Sequence, residues 1–396
     1  MVRTEFAERV SVVNETWESP RISGRTVLVH DYLNQYGGAE RLLEVLHDLA
    51  PDAPVFTSIY DPASMPDIYR AWDIRSTWID KVPGVHRQHQ RALPVYPLAF
   101  ERLRLPDCEL VLSSSSAFAK MVRPPAGAVH ICYTHSPMRF AWNLDAYVER
   151  ERLPGSARIA LRPLMALFRQ RDRVTAARVD RFVANSTVVR DRIRAFWQRD
   201  ATVINPPVEV GAFHPAPAEE IQDYFLMVSR LVPYKRFDLA IAACNALNLP
   251  LWIVGDGRDR EALEAQAGPT VHFLGRVSDD ELRGLYARSR ASIFMSEDDF
   301  GIAQVESQAA GRPVIALAAG GAVDTVVDGV TGIHVRAQTV ESLIEAFARF
   351  ERTSFETDRL IAHARSFSRE RFERELVELI EETMASVRSG ERGRWN

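Results

Sequence analysis

Residues 296–314 read Ser296-Glu297-Asp298-Asp299-Phe300-Gly301-Ile302-Ala303-Gln304-Val305-Glu306-Ser307-Gln308-Ala309-Ala310-Gly311-Arg312-Pro313-Val314. An apolar run, Ala291–Met295, leads into the acids, and another, Val314–Ala316, follows the Gly311-Arg312-Pro313 break. Between them, Gly301–Ala310 has helical spacing. Strand, helix and strand in so short a span form a βαβ unit, and that unit requires a parallel sheet.

The same rhythm extends in both directions. The first half offers strands at Thr26–His30, Glu109–Ser113, Val129–Thr134, Arg181–Asn185 and Thr202–Ile204. The second offers Tyr224–Val228, Leu251–Val254, Val271–Leu274, Ala291–Met295, Val314–Ala316 and Gly332–Val335. Helices are expected at Phe237–Leu247, Arg258–Gln266 and Asp279–Arg288. Asn205-Pro206-Pro207-Val208 and the Pro215–Glu220 stretch separate the two series, because consecutive prolines continue neither helix nor central strand. Two doubly wound α/β domains follow, 23–207 and 208–369, behind a polar extension at 1–22. A C-terminal helix at 370–390 is expected to pack back near the first domain, and the last residues read as a frayed tail.

Composition agrees. A chain of 396 residues exceeds the size of one core. With 46% hydrophobic and 26% charged residues it reads as a globular enzyme. A net charge of −4 argues against nucleic acid as a partner. Cys108, Cys132 and Cys244 lie far apart, so neither a disulfide framework nor a zinc site is suggested, and a reducing cytoplasm fits. The first residues lack the apolar core of a signal peptide, and no run is long enough to span a membrane.

Open α/β sheets bind ligands beyond the carboxyl ends of their strands, so the charged and glycine-rich segments there are the candidate site. His30-Asp31-Tyr32-Leu33-Asn34-Gln35-Tyr36-Gly37-Gly38-Ala39-Glu40 follows a strand and opens a helix, where backbone N–H groups at Gly37 and Gly38 suit an anion. A plain tight turn explains the segment equally well. Ser229-Arg230-Leu231-Val232-Pro233-Tyr234-Lys235-Arg236 supplies a guanidinium fork and an ammonium that suit a diphosphate. In the opening stretch, Glu297–Asp299 complement the helix dipole, which leaves Glu306 unexplained on a helix of Ala, Val and Gly.

Acid–x–Phe–Gly–x–x–x–x–Glu followed by Ala-Ala-Gly-Arg-Pro-Val-Ile-Ala resembles the signature of the family-4 retaining glycosyltransferases of the GT-B fold. The resemblance runs from about Arg25 to Glu382. It takes in the glycine loop, Tyr133-Thr134-His135-Ser136-Pro137-Met138-Arg139, Asn205–Val208, Arg230 with Lys235, and Phe273-Leu274-Gly275-Arg276-Val277. It implies two Rossmann-like domains facing across a cleft. Arg230 and Lys235 would hold the donor diphosphate, and Glu306 the donor ribose. Asp298, with Glu297 beside it, would meet the sugar; it is one methylene shorter than the family's glutamate. Phe300, Gly301 and Ile302 would offer backbone N–H groups, Arg276 and Val277 would meet the base, and His135 would sit by the transferred sugar. No Asp-x-Asp occurs, so no metal or other cofactor is expected, and the two cations and helix N-termini would supply the electrostatics.

Tyr133–Trp142 and the Asp298-x-Phe300-Gly301-Ile302-Ala303 version of the motif are similar to a subgroup of bacterial polysaccharide and O-antigen assembly, many of them mannosyltransferases using GDP-mannose. That implies GDP-mannose as donor and a polyprenyl-diphosphate-linked saccharide as acceptor. A UDP-sugar donor, a nucleotide-sugar epimerase and an idle sugar-nucleotide-binding protein are the alternatives. From Arg158 to Arg173, helical spacing puts Leu161, Leu164, Met165 and Phe168 on one stripe beside Arg158, Arg162, Arg169 and Arg173. Tyr96 and Phe100, among the basic residues of Val85–Leu105, extend that face. An anionic membrane surface on the cytoplasmic side would suit it; a core helix with solvated arginines is the other reading.

Overall fold

Thr26–His30 (β1) and Val129–Thr134 (β5) are buried along their whole length, as strands covered on both faces must be. In the computed structural model, which describes residues 18–145, 148 and 156–391, such strands build two sheets. Two compact units hold one sheet each. Pro206–Arg371 form one unit; Glu18–Asn205, with the chain from Phe372 onward, form the other.

In the N-terminal unit the remaining strands are β2 (Val55–Thr57), β3 (Ile74–Ser76), β4 (Leu110–Ser115), β6 (Arg181–Ala184) and β7 (Thr202–Val203). All pair in parallel in the order β3-β2-β1-β4-β5-β6-β7. Neither β2 nor β3 was expected. Each is three residues long, and β3 lies at the sheet edge without a buried residue, so no apolar run announces it. The helix Arg369–Arg388 closes this unit: its Phe372, Leu376, Ile380 and Met384 share a core with Leu28, Leu110 and Ile131.

The C-terminal unit contains β8 (Phe225–Val228), β9 (Leu251–Val254), β10 (Val271–Gly275), β11 (Ala291–Phe294), β12 (Val314–Leu317) and β13 (Gly332–Val335). They are parallel in the order β10-β9-β8-β11-β12-β13. Helices open where the side chains dictate: Ser278 caps Asp279–Arg288 by accepting from Glu281 N–H, and Thr339 caps Val340–Phe350 in the same way. Each sheet is thus Rossmann-like and doubly wound. Each reverses direction beside its first strand, at β1/β4 and at β8/β11, and such switch points leave a crevice at the strand ends.

The basic helix needs correction. Helix Ser156–Ala176 turns Met165 and Phe168 fully into a core with Phe118 and Met121, with Leu161 and Leu164 packed beside them. Tyr96 and Phe100 are buried there too. An apolar stripe next to an apolar sheet face buries itself against that face before it can meet lipid. Arg169 donates to the Ala141 carbonyl, Arg173 donates to the Phe196 carbonyl and lies over the Trp142 ring, and Arg162 is exposed. The Arg158 side chain, most of the 1–22 extension and residues 392–396 lie outside the described residues. Among those described, no helix is long and apolar enough to cross a membrane.

Candidate functional site

The switch point of the C-terminal unit gathers two of the charged segments. After β8 the chain runs through Ser229–Val232 into the tight turn Pro233–Lys235, and Arg236 takes a left-handed φ of 55° before helix Phe237–Leu247 begins. The Arg236 guanidinium fixes that corner by donating to Asp238 and to Gln338 Oε1. Lys235 therefore reaches across to the loop after β11, where its Nζ donates to Asp298 Oδ1 at 2.7 Å and Oδ2 at 2.8 Å. Ser296 Oγ adds a third bond to Asp298 Oδ2 at 2.9 Å. Arg230 is exposed and, among the described residues, has no hydrogen-bond or ion-pair partner. Glu297 is exposed beside the pair.

Glycines set the loops under these side chains. Gly255, at φ 131°, passes so close to the loop of Arg230 that a Cβ would stand 1.9 Å from the Ser229 carbonyl oxygen. A Cβ on Gly257 would meet the Leu231 carbonyl at 2.3 Å. Gly320 and Gly321, after β12, lie against Asp298 and Phe300 with the same closeness, and Gly321 N–H donates to the Asp298 carbonyl at 2.8 Å. Only residues without side chains allow these backbones to cross. Gly301, at φ 97°, then opens helix Ile302–Ala309. Phe300 is buried beneath it, and Ile302 begins it.

Glu306 stands partly buried on that helix, and Tyr286 Oη donates to its Oε2 at 3.4 Å. Burial first, then the Glu306 charge, pushes the Tyr286 phenol far above its ordinary value, so it stays a neutral donor that orients the carboxylate. Tyr286 was not anticipated: in Asp279–Arg288 it reads as a core position, which it also is. Arg276 is exposed just after Gly275, whose φ is 72°, and Val277 is half-buried against Tyr224 and Val254.

In the N-terminal unit, Gly37 and Gly38 start helix Gly38–Leu49 from an extended backbone. Glu40 in its first turn brings a carboxylate to that helix end: a Cβ on Gly37 would meet Glu40 Oε2 at 3.3 Å. His135 follows β5 and is half-buried, with Nε2 2.8 Å from Ser114 Oγ. Burial and the neighbouring His30 push its pKa down to about 3, so the ring is neutral. Asp31, next to His30, has a structural task that its sequence position does not reveal. Its buried carboxylate accepts the N–H groups of Ser116, Ala117, Phe118 and Ala119, the last two at 2.7 and 2.6 Å, and so fastens the loop after β4 to β1.

Residues 213–367 match the family described as Glycosyl transferases group 1, a span inside the C-terminal unit that holds both charged loops. The chain is 26% identical over 403 residues to the D-inositol 3-phosphate glycosyltransferase of Salinispora tropica, covering 88% of this chain and 81% of that protein. Its Nocardioides sp. counterpart is 27% identical over 53% of this chain, and the D-rhamnosyltransferase WbpZ of Pseudomonas aeruginosa 30% identical over 44%. The chain spans about half the length of these two relatives, 55% and 49%. Among solved structures, Anabaena Alr3699/HepE in complex with UDP superposes with a TM-score of 0.68 at 16% identity, over 90% of this chain and 100% of that one. Sucrose-phosphate synthase from Thermosynechococcus elongatus also gives 0.68, at 17% identity over 91% and 100%. The chain thus has the GT-B fold, two Rossmann-like domains each built on a parallel sheet.

Proposed function

We propose that this chain is a retaining glycosyltransferase that moves a hexose from a nucleotide-diphosphate sugar to a saccharide acceptor. The observation that carries the reading is Arg230, Lys235 and Asp298 placed on the loops after β8 and β11 of the C-terminal unit, the strands that flank its switch point. In this reading Arg230 and Lys235 take the charge that develops on the departing diphosphate, with no metal ion required. Asp298 and the backbone of Phe300–Ile302 hold the sugar, Glu306 the ribose, and Arg276 and Val277 the base. His135 serves the transferred sugar. The phosphate oxygen that leaves accepts the proton of the acceptor hydroxyl on the same face, so the anomeric configuration is kept.

The donor we favour is GDP-mannose, on the likeness of Tyr133–Trp142 and the Asp298 motif to mannosyltransferases of polysaccharide assembly; the acceptor would then be a polyprenyl-diphosphate-linked saccharide. A UDP-sugar is the second reading, supported by Alr3699/HepE in complex with UDP-glucose. The names of the relatives span inositol phosphate and rhamnose chemistry, which supports sugar transfer without choosing the sugar. Incubating the full chain with GDP-mannose, GDP-fucose, UDP-glucose and UDP-N-acetylglucosamine decides it. Release of GDP from GDP-mannose above all others is expected, and turnover of a UDP-sugar alone would reject the mannosyl reading. Release of the nucleoside diphosphate from none of them would reject the transferase itself.

For the membrane, the face to consider is the outer side of Ser156–Ala176. There Ile159, Leu167 and Val174 are 71%, 51% and 57% exposed, next to exposed Arg162, Arg171 and Arg173. Apolar side chains among arginines suit the surface of an anionic bilayer.

A further inference from the structure

His30 ends β1, and in the sheet register it lies opposite Ser114 of β4. The Ser114 hydroxyl stands between two imidazoles, 3.1 Å from His30 Nδ1 and 2.8 Å from His135 Nε2. On its far side His30 Nε2 lies 3.4 Å from Glu40 Oε1. Glu40, His30 and Ser114 are all buried, and they form an unbroken row that ends on His135.

A row of this kind has a direction. A carboxylate only accepts, so His30 presents Nε2–H to Glu40, and in its Nε2–H tautomer the lone pair stays on Nδ1, facing Ser114. Ser114 then gives its single hydrogen to His30 Nδ1. Its oxygen is left to accept, and the group that faces it, His135 Nε2, must carry the hydrogen. The opposite direction sets a lone pair of His30 against an oxygen of Glu40, which burial makes expensive. His135 Nδ1 has no hydrogen-bond partner among the described residues and is not a buried orphan.

We infer that Glu40, His30 and Ser114 are positioning residues that hold His135 as its Nε2–H tautomer and leave Nδ1 to accept a hydrogen bond from a substrate hydroxyl. The hydroxyl rests on the transferase reading; the tautomer does not. None of the three positioning side chains need touch the substrate. The role of Glu40 also explains an acid in the first turn of Gly38–Leu49 that the helix dipole alone would explain more blandly.

The test is long-range proton–nitrogen correlation spectroscopy on the full chain with nitrogen-15 histidine at pH 7, with the His135 signals assigned from the His135→Gln variant. His135 is expected as the Nε2–H tautomer with a slowly exchanging ring proton. Ser114→Ala should lose the His135 ring proton from the slow set, and Ser114→Thr, which keeps the hydroxyl, should restore it. A hydrogen on His135 Nδ1 in the unaltered protein overturns the inference, as does an unchanged His135 ring proton in Ser114→Ala. The wild-type tautomer decides even where Ser114→Ala fails to fold. In turnover, Ser114→Ala should lower kcat about tenfold with little change in KM, the low end for a residue that orients a working histidine, and Ser114→Thr should recover it. Because the spectra need no turnover, an inactive protein would reject the transferase reading and leave the tautomer result standing.

Discussion

The Lys235 ammonium lies 2.7 and 2.8 Å from the two carboxylate oxygens of Asp298, joining the loop after β8 to the loop after β11. Both side chains are mostly buried, so neither charge is fully screened by water. The residue proposed to meet the diphosphate is thus already neutralised by the residue proposed to meet the sugar. A diphosphate bound by Lys235 must compete with Asp298 for the same ammonium.

Asp298→Asn should therefore separate binding from turnover. Removing the competing charge is expected to tighten GDP or UDP by about fivefold, roughly 1 kcal/mol, while turnover falls. Calorimetric titration of the variant with the nucleoside diphosphate measures this. Weaker binding would show that Asp298 assists the phosphates.

Arg230→Ala and Lys235→Ala should each cost about 10²-fold or more in kcat, the size seen when a donor to a developing oxyanion is lost. Because Arg230 has no partner among the described residues, its variant should keep the melting temperature of the parent. Chelation by EDTA should leave the parent's rate unchanged. Full activity in either variant, or a rate abolished by EDTA and restored by a divalent ion, contradicts the assignment.

Gly255→Ala forces a Cβ to 1.9 Å from the Ser229 carbonyl at a left-handed φ of 131°. A loss of about 2 kcal/mol or more is expected, with kcat lowered because the loop of Arg230 moves. Gly329→Ala is the control: at φ 75° with no atom within 4 Å of the new Cβ, it carries only the backbone cost of about 1 kcal/mol. Equal melting temperatures for the two variants would count against the crossing at Gly255.

Acid should destabilise the N-terminal unit through its buried histidines. Burial pushes His130 down to about 4 and His135 to about 3, so both are neutral when folded and protonate on unfolding near pH 6.5. The unfolded chain then binds more protons, and stability present above about pH 6.5 is lost as pH falls toward 4. Each can steepen the slope by at most about 1.4 kcal/mol per pH unit. Urea midpoints at pH 5, 6 and 7 should fall with acid, less steeply in His130→Gln. Flat midpoints in the parent would show that the two histidines bind protons alike in the folded and unfolded chain, against their burial as neutral rings.

Vesicles containing anionic phospholipid should retain the chain at low salt, and Leu167→Glu should release it, since Leu167 is exposed between arginines rather than in the core. No retention at low salt removes the membrane from the proposal.

Much of this was legible in residue order. β1, β5, β9 and β13 occur where apolar runs predicted them, because strands buried on both faces need continuous apolar side chains. The loops of Arg230, Lys235 and Asp298 were legible for the same reason: polar residues that interrupt such runs stand at strand ends. β2 and β3 were not, being too short for periodicity to register, and β3 offers no buried face to mark it. The stripe of Leu161, Met165 and Phe168 shows the limit most clearly, since spacing reveals that a helix has an apolar side and says nothing of whether sheet or lipid covers it.

Sequence alone determined that two parallel sheets form and which loops carry the charges. Tertiary structure decided which of those charges meet: Lys235 with Asp298, 63 residues apart, Tyr286 with Glu306, and His30 with Ser114 and His135. The division is physical. Burial and backbone geometry are properties of a residue and its near neighbours, while a hydrogen bond across a sheet depends on strand order and register, which are set only when the whole sheet assembles.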